Sequence, residues 1–153
     1  MNNFIEIRHI NKEEIEYLVR NLRDFEKDKA LKGGLQSAGK VFVAGGKSRL
    51  RRGMKSGSRG VTGNLLRSFQ VKVKRNKPGV LIGFKQGKEG GSHAHLVDKG
   101  TDRRYWKTRK RKYVGRVIAN RFWTETEAQD YPQAMDSLYS GIGKAVNRIS
   151  SRR

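Results

Sequence analysis

The apolar positions of this chain fall into a few periodic stretches separated by glycine and charge. Ile15, Leu18, Val19, Leu22 and Phe25 recur at offsets 0, 3, 4, 7 and 10, the spacing that gathers side chains on one face of an α-helix. Asn11 stands just ahead of them, followed by Lys12-Glu13-Glu14. An N-cap with acids in the first turn predicts a helix start there, and Gly33-Gly34 predicts its end. A second helix is predicted from Leu35 to about Leu50 with Leu35, Ala38, Val41 and Phe42 inward. Gly39, Gly45 and Gly46 each weaken it by about 1 kcal/mol relative to alanine. Farther along, Phe69, Val71 and Val73 alternate with Gln70, Lys72 and Lys74, the period of a half-buried strand whose free face carries lysines. Asn76 to Gly79 supplies a turn and Val80 to Phe84 a second strand, which together make a hairpin. The last pattern is Ala134, Leu138, Ile142, Ala145 and Ile149, at offsets 0, 4, 8, 11 and 15. It predicts an amphipathic helix from about Tyr131, with Pro132 in its first turn.

The segments between these patterns complete the expected architecture. Residues 1–10, where Phe4 to Arg8 alternate weakly, read as an N-terminal extension. Residues 53–63 hold Gly53, Gly57, Gly60 and Gly63 among Ser56, Ser58, Lys55 and Arg59, a loop composition with little to bury. Residues 102–116 read as a second flexible basic loop, part of a surface loop or extended hairpin running to Arg121. Ala94 to Val97 is expected to add a third strand. The fold class is therefore α+β: a small antiparallel sheet, hairpin plus third strand, packed against a long C-terminal helix, with N-terminal helices and long basic loops. A chain of 153 residues fits a single domain, 1–153, with a modest core.

Charge changes the picture most. With 35 Lys and Arg against 14 Asp and Glu, the formal charge is +21, which makes self-repulsion a cost to the fold and implies a polyanionic or acidic partner. Seven of the 14 acids lie in residues 1–28, and none lies between Lys29 and Lys88. The middle of the chain is a continuous positive field. One basic patch comprises Lys47, Arg49, Arg51, Arg52, Lys55 and Arg59. The other comprises Arg103, Arg104, Lys107, Arg109, Lys110, Arg111 and Lys112, with Tyr105, Trp106 and Tyr113 interleaved. Such runs bind phosphates by counterion release with little sequence preference, and the aromatics add stacking on single strands. Solvated loop faces, or docking surfaces for acidic protein rings, fit the same residues equally well.

Candidate chemistry is sparse. There is no cysteine, so disulfides, thiolate metal sites and a cysteine nucleophile are excluded. His93 and His95 alternate ahead of Asp98, but a structural zinc site wants four protein ligands and a catalytic one three. Between Asp28 and Glu125 only Glu89, Asp98 and Asp102 could serve acid/base or metal chemistry. Glu125, Glu127 and Asp130 fit a helix start, where acids meet the positive end of the dipole. The Gly-Lys-Ser of "GGKSRLRRGMKSG" lacks the spacing of a phosphate loop. No catalytic residue, metal or cofactor is assigned. No window approaches a membrane span and no secretory leader pattern opens the chain, so use in a cytoplasm, or in a particle assembled there, is expected.

"TGNLLRSF" followed by "VKVK", "VLIGF", "HAHLVDKGT" and "RFWTETEA" resembles, in that order, the small neck proteins of long-tailed, lambdoid-type bacteriophages, the tail-completion or head-tail joining family. Thr62, Gly63, Leu65 and Ser68 match the family's turn into a strand, Gly83 its second strand, and Asp98, Gly100 and Thr101 its acidic-x-Gly-Thr motif. Phe122, within Arg121-Phe122-Trp123, stands at its aromatic helix opening. The match runs from about Leu35 to Val146; it departs where Asp98 replaces the more usual glutamate, where the proline before Phe122 is absent, and in the very basic loop from Arg103 to Lys112. The resemblance implies a structural virion protein at the head-tail junction, working as a ring of copies that binds portal-adaptor, neck and tail-tube proteins. Lys72, Lys74 and the two basic patches would face neighbouring subunits or packaged double-stranded DNA. It also implies a positive φ at Gly63, Leu65 and Leu66 beneath the sheet, and Phe69, Val71 and Val73 against the terminal helix. The expected location is the virion neck, and the host cytoplasm during assembly. A free nucleic-acid-binding protein, ribosome-associated or DNA-compacting, is the alternative that composition supports.

Overall fold

The computed structural model describes residues 5–7, 11–54, 63–76, 79–108 and 110–152. It is an α+β structure in which two long helices, α2 (Asp24–Gly53) and α5 (Phe122–Ser150), pack antiparallel along each other beside a small antiparallel sheet. The sheet has the order β1 (Ile5–Glu6), β3 (Val80–Phe84), β2 (Phe69–Val73). Strand β3 is central, and its Val80, Ile82 and Phe84 are buried. They pair with Val73, Val71 and Phe69 of β2, so the alternation read in the sequence does set the buried face. The third strand is not where periodicity put it. Ile5, expected in an extension, is fully buried and pairs with Ile82.

Residues Ala94–Lys99 form a short helix, α4, instead of a strand. His93 carbonyl accepts from the Leu96 and Val97 amides at 3.0 and 3.2 Å, and the two buried residues, Ala94 and Asp98, stand at i and i+4. That is a helical spacing, which the His-x-His alternation hid. Consecutive alternate positions diverge on a helix, so His93 and His95 do not share a face.

The N-terminal helices also divide differently from expectation. Asn11 caps α1 (Lys12–Val19), its side chain accepting from the Glu14 amide at 3.4 Å. The chain then restarts at Asp24 because Glu26 reaches back to the Arg23 amide at 2.9 Å, a capping device that interrupts the periodic face. Ile15, Val19 and Leu22 are buried as predicted, while Phe25 is 66% exposed.

Gly33-Gly34 does not end a helix; it lies inside α2. A Cβ on Gly34 would lie 2.5 Å from Ile142 Cγ1 and 2.7 Å from the Leu138 carbonyl oxygen. Glycine there lets two helix backbones approach where any side chain would hold them apart. Gly39 and Gly46 likewise receive Val71 and the Phe69 ring. The helix propensity lost at these positions is offset by packing against α5 and the sheet. Neighbouring glycines should therefore respond oppositely. Gly33 has open space above it, so Gly33→Ala should raise stability by about 0.5–1 kcal/mol. Gly34→Ala should lower it by about 1–2 kcal/mol through overpacking, read by chemical denaturation of both variants.

Helix α5 starts at Phe122, well before Tyr131, so Pro132 lies in its interior, on an exposed face, and not in its first turn. Its first residues close the core: Phe122 and Trp123 meet Phe69 and Phe84 at centroid distances of 5.0–6.1 Å, edge to face. This is where the terminal helix touches the sheet. Farther along, Val71 packs on Gly39 of α2, and α2 is the sheet's main helical partner.

Candidate interaction arm and its anchor

Of the motif residues, Asp98, Gly100 and Thr101 meet the stretch that opens α5 at one joint, while Gly63, Leu65 and Ser68 lie at a short helix ahead of β2 and Gly83 on β3. Gly63 has φ +70° and starts the short helix α3 (Asn64–Ser68), with the Arg67 amide bonded to its carbonyl at 3.1 Å. A left-handed conformation is cheap only for glycine, and the positive φ expected at this position is present. Leu65 and Ser68 are buried, the Ser68 hydroxyl donating to the Leu65 carbonyl at 2.8 Å. Gly83 lies in β3 opposite Gln70. Thr62 falls outside the described residues.

Asp98 is the centre of the joint. Its Oδ1 accepts from the Trp123 amide at 2.7 Å and the Thr124 amide at 3.1 Å, and its Oδ2 from the Thr124 hydroxyl at 2.6 Å. It is 5% exposed. A carboxylate brought from α4 thus caps the N-terminus of α5, satisfying orphan amides and meeting the positive end of the dipole. Main-chain bonds reinforce it: the Arg121 amide reaches the Asp98 carbonyl and the Asn120 amide the Val97 carbonyl, both at 2.9 Å. Gly100 has φ +76°, and a Cβ on it would strike the backbone of Val117 and Ala119 at 2.8 Å. The Thr101 hydroxyl accepts from the Val117 amide and the Thr101 amide donates to the Val117 carbonyl, each at 2.9 Å. Aspartate, glycine and threonine at these spacings are therefore a clamp on residues 117–124.

What the clamp holds is a projecting arm. Strands β4 (Arg104–Tyr105) and β5 (Tyr113–Gly115) pair antiparallel, so of the two readings of this stretch the hairpin is correct. Its tip turns through Lys110 and Arg111, at φ +42° and +51°, the sign that tight hairpin turns need. Tyr105 and Tyr113 face each other across it with ring centroids 5.6 Å apart. Both rings and Trp106 remain about half exposed, and Ile118 at the base is 75% exposed. Around them Arg103, Arg104, Lys107, Lys110, Arg111, Lys112 and Arg116 are all exposed. Exposed aromatics on a ribbon with this charge have nothing to bury against in the isolated chain.

Among the described residues the other predicted patch is divided. Arg49, expected to face a partner, is turned inward: its two terminal nitrogens grip Asp130 at 2.6 and 2.7 Å, with further bonds to Thr126 and Gln129. Side-chain exposures of 11% and 13% make this a largely buried bidentate pair. The hydrogen bond to Asp130 is the main cause that holds Arg49 above its already high ordinary pKa, against burial that opposes it. Gly45 leaves room for the Asp130 carboxylate, which a Cβ there would displace. Asp130 thus belongs to the α2–α5 interface and not to the helix start. Lys47 lies over the Phe69 ring at 6.0 Å. Arg51 and Arg52 are exposed at the end of α2, Lys72 on β2 and Lys74 just after it, apart from the arm in sequence and element. Lys55, Arg59 and Arg109 lie outside the described residues, as does most of the loop at 53–63.

A further basic surface, marked by no run in the sequence, forms where α2, α5 and the β2–β3 turn converge. Its cations come from three elements far apart in the chain, so only their assembly reveals it. Among the described residues no group of three or more His, Asp or Glu is placed to hold a metal ion, and no helix is long and apolar enough to cross a membrane. Compared with protein-family models, with curated proteins and with solved structures, the chain finds no match.

Proposed function

We propose that the protein is a structural subunit of the neck of a long-tailed bacteriophage, completing the tail or joining head to tail as a ring that binds portal-adaptor and tail-tube proteins. The observation that carries this reading is the arm: a basic, aromatic hairpin held out from the body by a clamp built from the motif residues Asp98, Gly100 and Thr101. A subunit that works by binding neighbours needs a rigid body and a projecting contact element, and heterologous contacts of that kind close rings. The role is non-catalytic. The buried carboxylates are occupied structurally, Glu26 and Asp98 as helix caps and Asp130, nearly buried, in its pair with Arg49. In the virion the positive field lies beside packaged double-stranded DNA or acidic neighbours; during assembly the protein is in the host cytoplasm.

The half-exposed Tyr105, Trp106 and Tyr113 favour one alternative, a free nucleic-acid-binding protein that stacks bases on the arm. Quantitative mass spectrometry of purified, nuclease-treated particles separates the two. A fixed copy ratio to the portal protein is the expected result and gives the ring number. Absence from particles, with recovery on ribosomes or bulk DNA, would replace the neck role with the alternative.

A further inference from the structure

We infer that the groove between α2, α5 and the β2–β3 turn docks an acidic amphipathic segment of a partner protein, a binding surface separate from the arm. The groove has a volume of about 400 Å³. Its floor is aliphatic, made by Gly33, Val73, Ala145 and Ile149, and its rim carries Lys29, Lys32, Lys74, Arg75, Arg148 and Arg152 with no acid among the lining residues. Lys32 is fixed, 2.7 Å from Asp28 Oδ2 and donating to the Arg75 carbonyl at 2.9 Å, which ties the turn of the sheet to α2. The other five cations have no carboxylate partner among the described residues.

Charge and floor together select the occupant. Six cations around an apolar trough complement a segment that presents carboxylates on its flanks and a few aliphatic side chains toward the floor, the pattern of an amphipathic helix laid in a groove. Nucleic acid fits poorly. None of the lining residues is aromatic, so bases would find no stacking platform, and phosphates on the rim would leave the aliphatic floor uncovered. The arm carries exposed aromatic rings among basic residues and the groove lining carries none, so these two cationic surfaces differ in chemistry. Gly33 matters here because the space above it is open; the groove reaches down to the α2 backbone.

The inference rests on the neck reading only for which molecule supplies the segment, and its assay does not involve particles. Absence from virions would end the neck role and leave this binding result untouched. The probe is a labelled synthetic peptide with leucines on one helical face and glutamates on the other, followed by fluorescence anisotropy. Gly33→Leu fills the floor without altering charge and should weaken binding about tenfold or more, the scale of one excluded leucine. Lys74→Glu with Arg148→Glu, at exposed positions, should do the same from the rim. Circular dichroism establishes that each variant is folded. A peptide with serine in place of leucine should bind about tenfold more weakly to the unmodified protein. Equal binding of the serine peptide, or unchanged binding to folded Gly33→Leu and to the charge-reversed variant, overturns the proposal. So does oligothymidylate binding that Gly33→Leu abolishes, which would make the groove a nucleic-acid site. Self-association lost on Gly33→Leu, seen by sedimentation, would assign the groove to a second copy and overturn it as well.

Discussion

Replacing Lys107, Arg109, Lys110 and Arg111 together by alanine is expected to leave the monomer folded and to cut infectivity by about two orders of magnitude. Among the described residues, three of the four stand exposed on the arm with no ion pair, so their removal relieves like-charge repulsion and breaks no internal contact. Thermal unfolding should move by no more than a few degrees, and upward if at all. At an interface, each exposed charge contributes about 0.2–1 kcal/mol, and four lost together weaken each subunit contact by roughly 4-fold to nearly 1,000-fold. In the proposed neck ring that loss is multiplied, because every copy would make the same contact. The measurement is plaque titre and portal-normalised copy number for the variant phage. Normal titre with a full complement of the variant would remove the arm from the assembly surface.

Asp98→Ala should lower stability by about 3 kcal/mol. The carboxylate supplies three bonds to the start of α5 from a buried position. Losing it orphans the Trp123 and Thr124 amides and removes a charge from the positive end of a long helix. A lost cap costs about 1 kcal/mol and bonds to a charged group 1.5–3 kcal/mol, so the terms overlap near the stated sum. In a chain of this length the melting temperature should fall by roughly 10 °C. Asp98→Asn keeps one acceptor and should lose about half as much. Hydrogen exchange adds a local readout: the Val117 and Asn120 amides, bonded to Thr101 and Val97, should lose protection in Asp98→Ala before the α2 amides do.

The elements that could be read in advance are those whose signal is local. Phe69, Val71 and Val73 alternate because a strand has a buried face, and Ala134, Leu138 and Ile142 repeat because a helix has one; all but the half-buried Val71 and Val73 are buried in the structure. The left-handed conformation of Gly63 is what the family resemblance implied. What escaped depends on partners distant in the chain. The start of α5 is set by Asp98, 25 residues upstream of Trp123. The third strand is recruited from Ile5 by a partner at Ile82. Gly34 reads as a helix stop until Ile142 and Leu138 of α5 are seen against it. Arg49 reads as a solvated cation until Asp130, 81 residues away, takes it inward. Within the arm, composition marked a basic stretch with interleaved aromatics, and the hairpin that this stretch forms was one of two shapes that composition allowed.

The base of the arm is closed by the Thr101 amide on the Val117 carbonyl and by the Arg121 amide on the Asp98 carbonyl, and main-chain groups of this kind do not depend on which side chains lie beyond them. Evolution is consequently free to rewrite the ribbon between Arg103 and Arg116 residue by residue without disturbing the body. Relatives that serve different neighbours should then agree in their cores and diverge in their arms, in length as much as in charge. For an engineer the same pinned base is a grafting site, where a foreign hairpin or an epitope can be spliced with its two ends already held together.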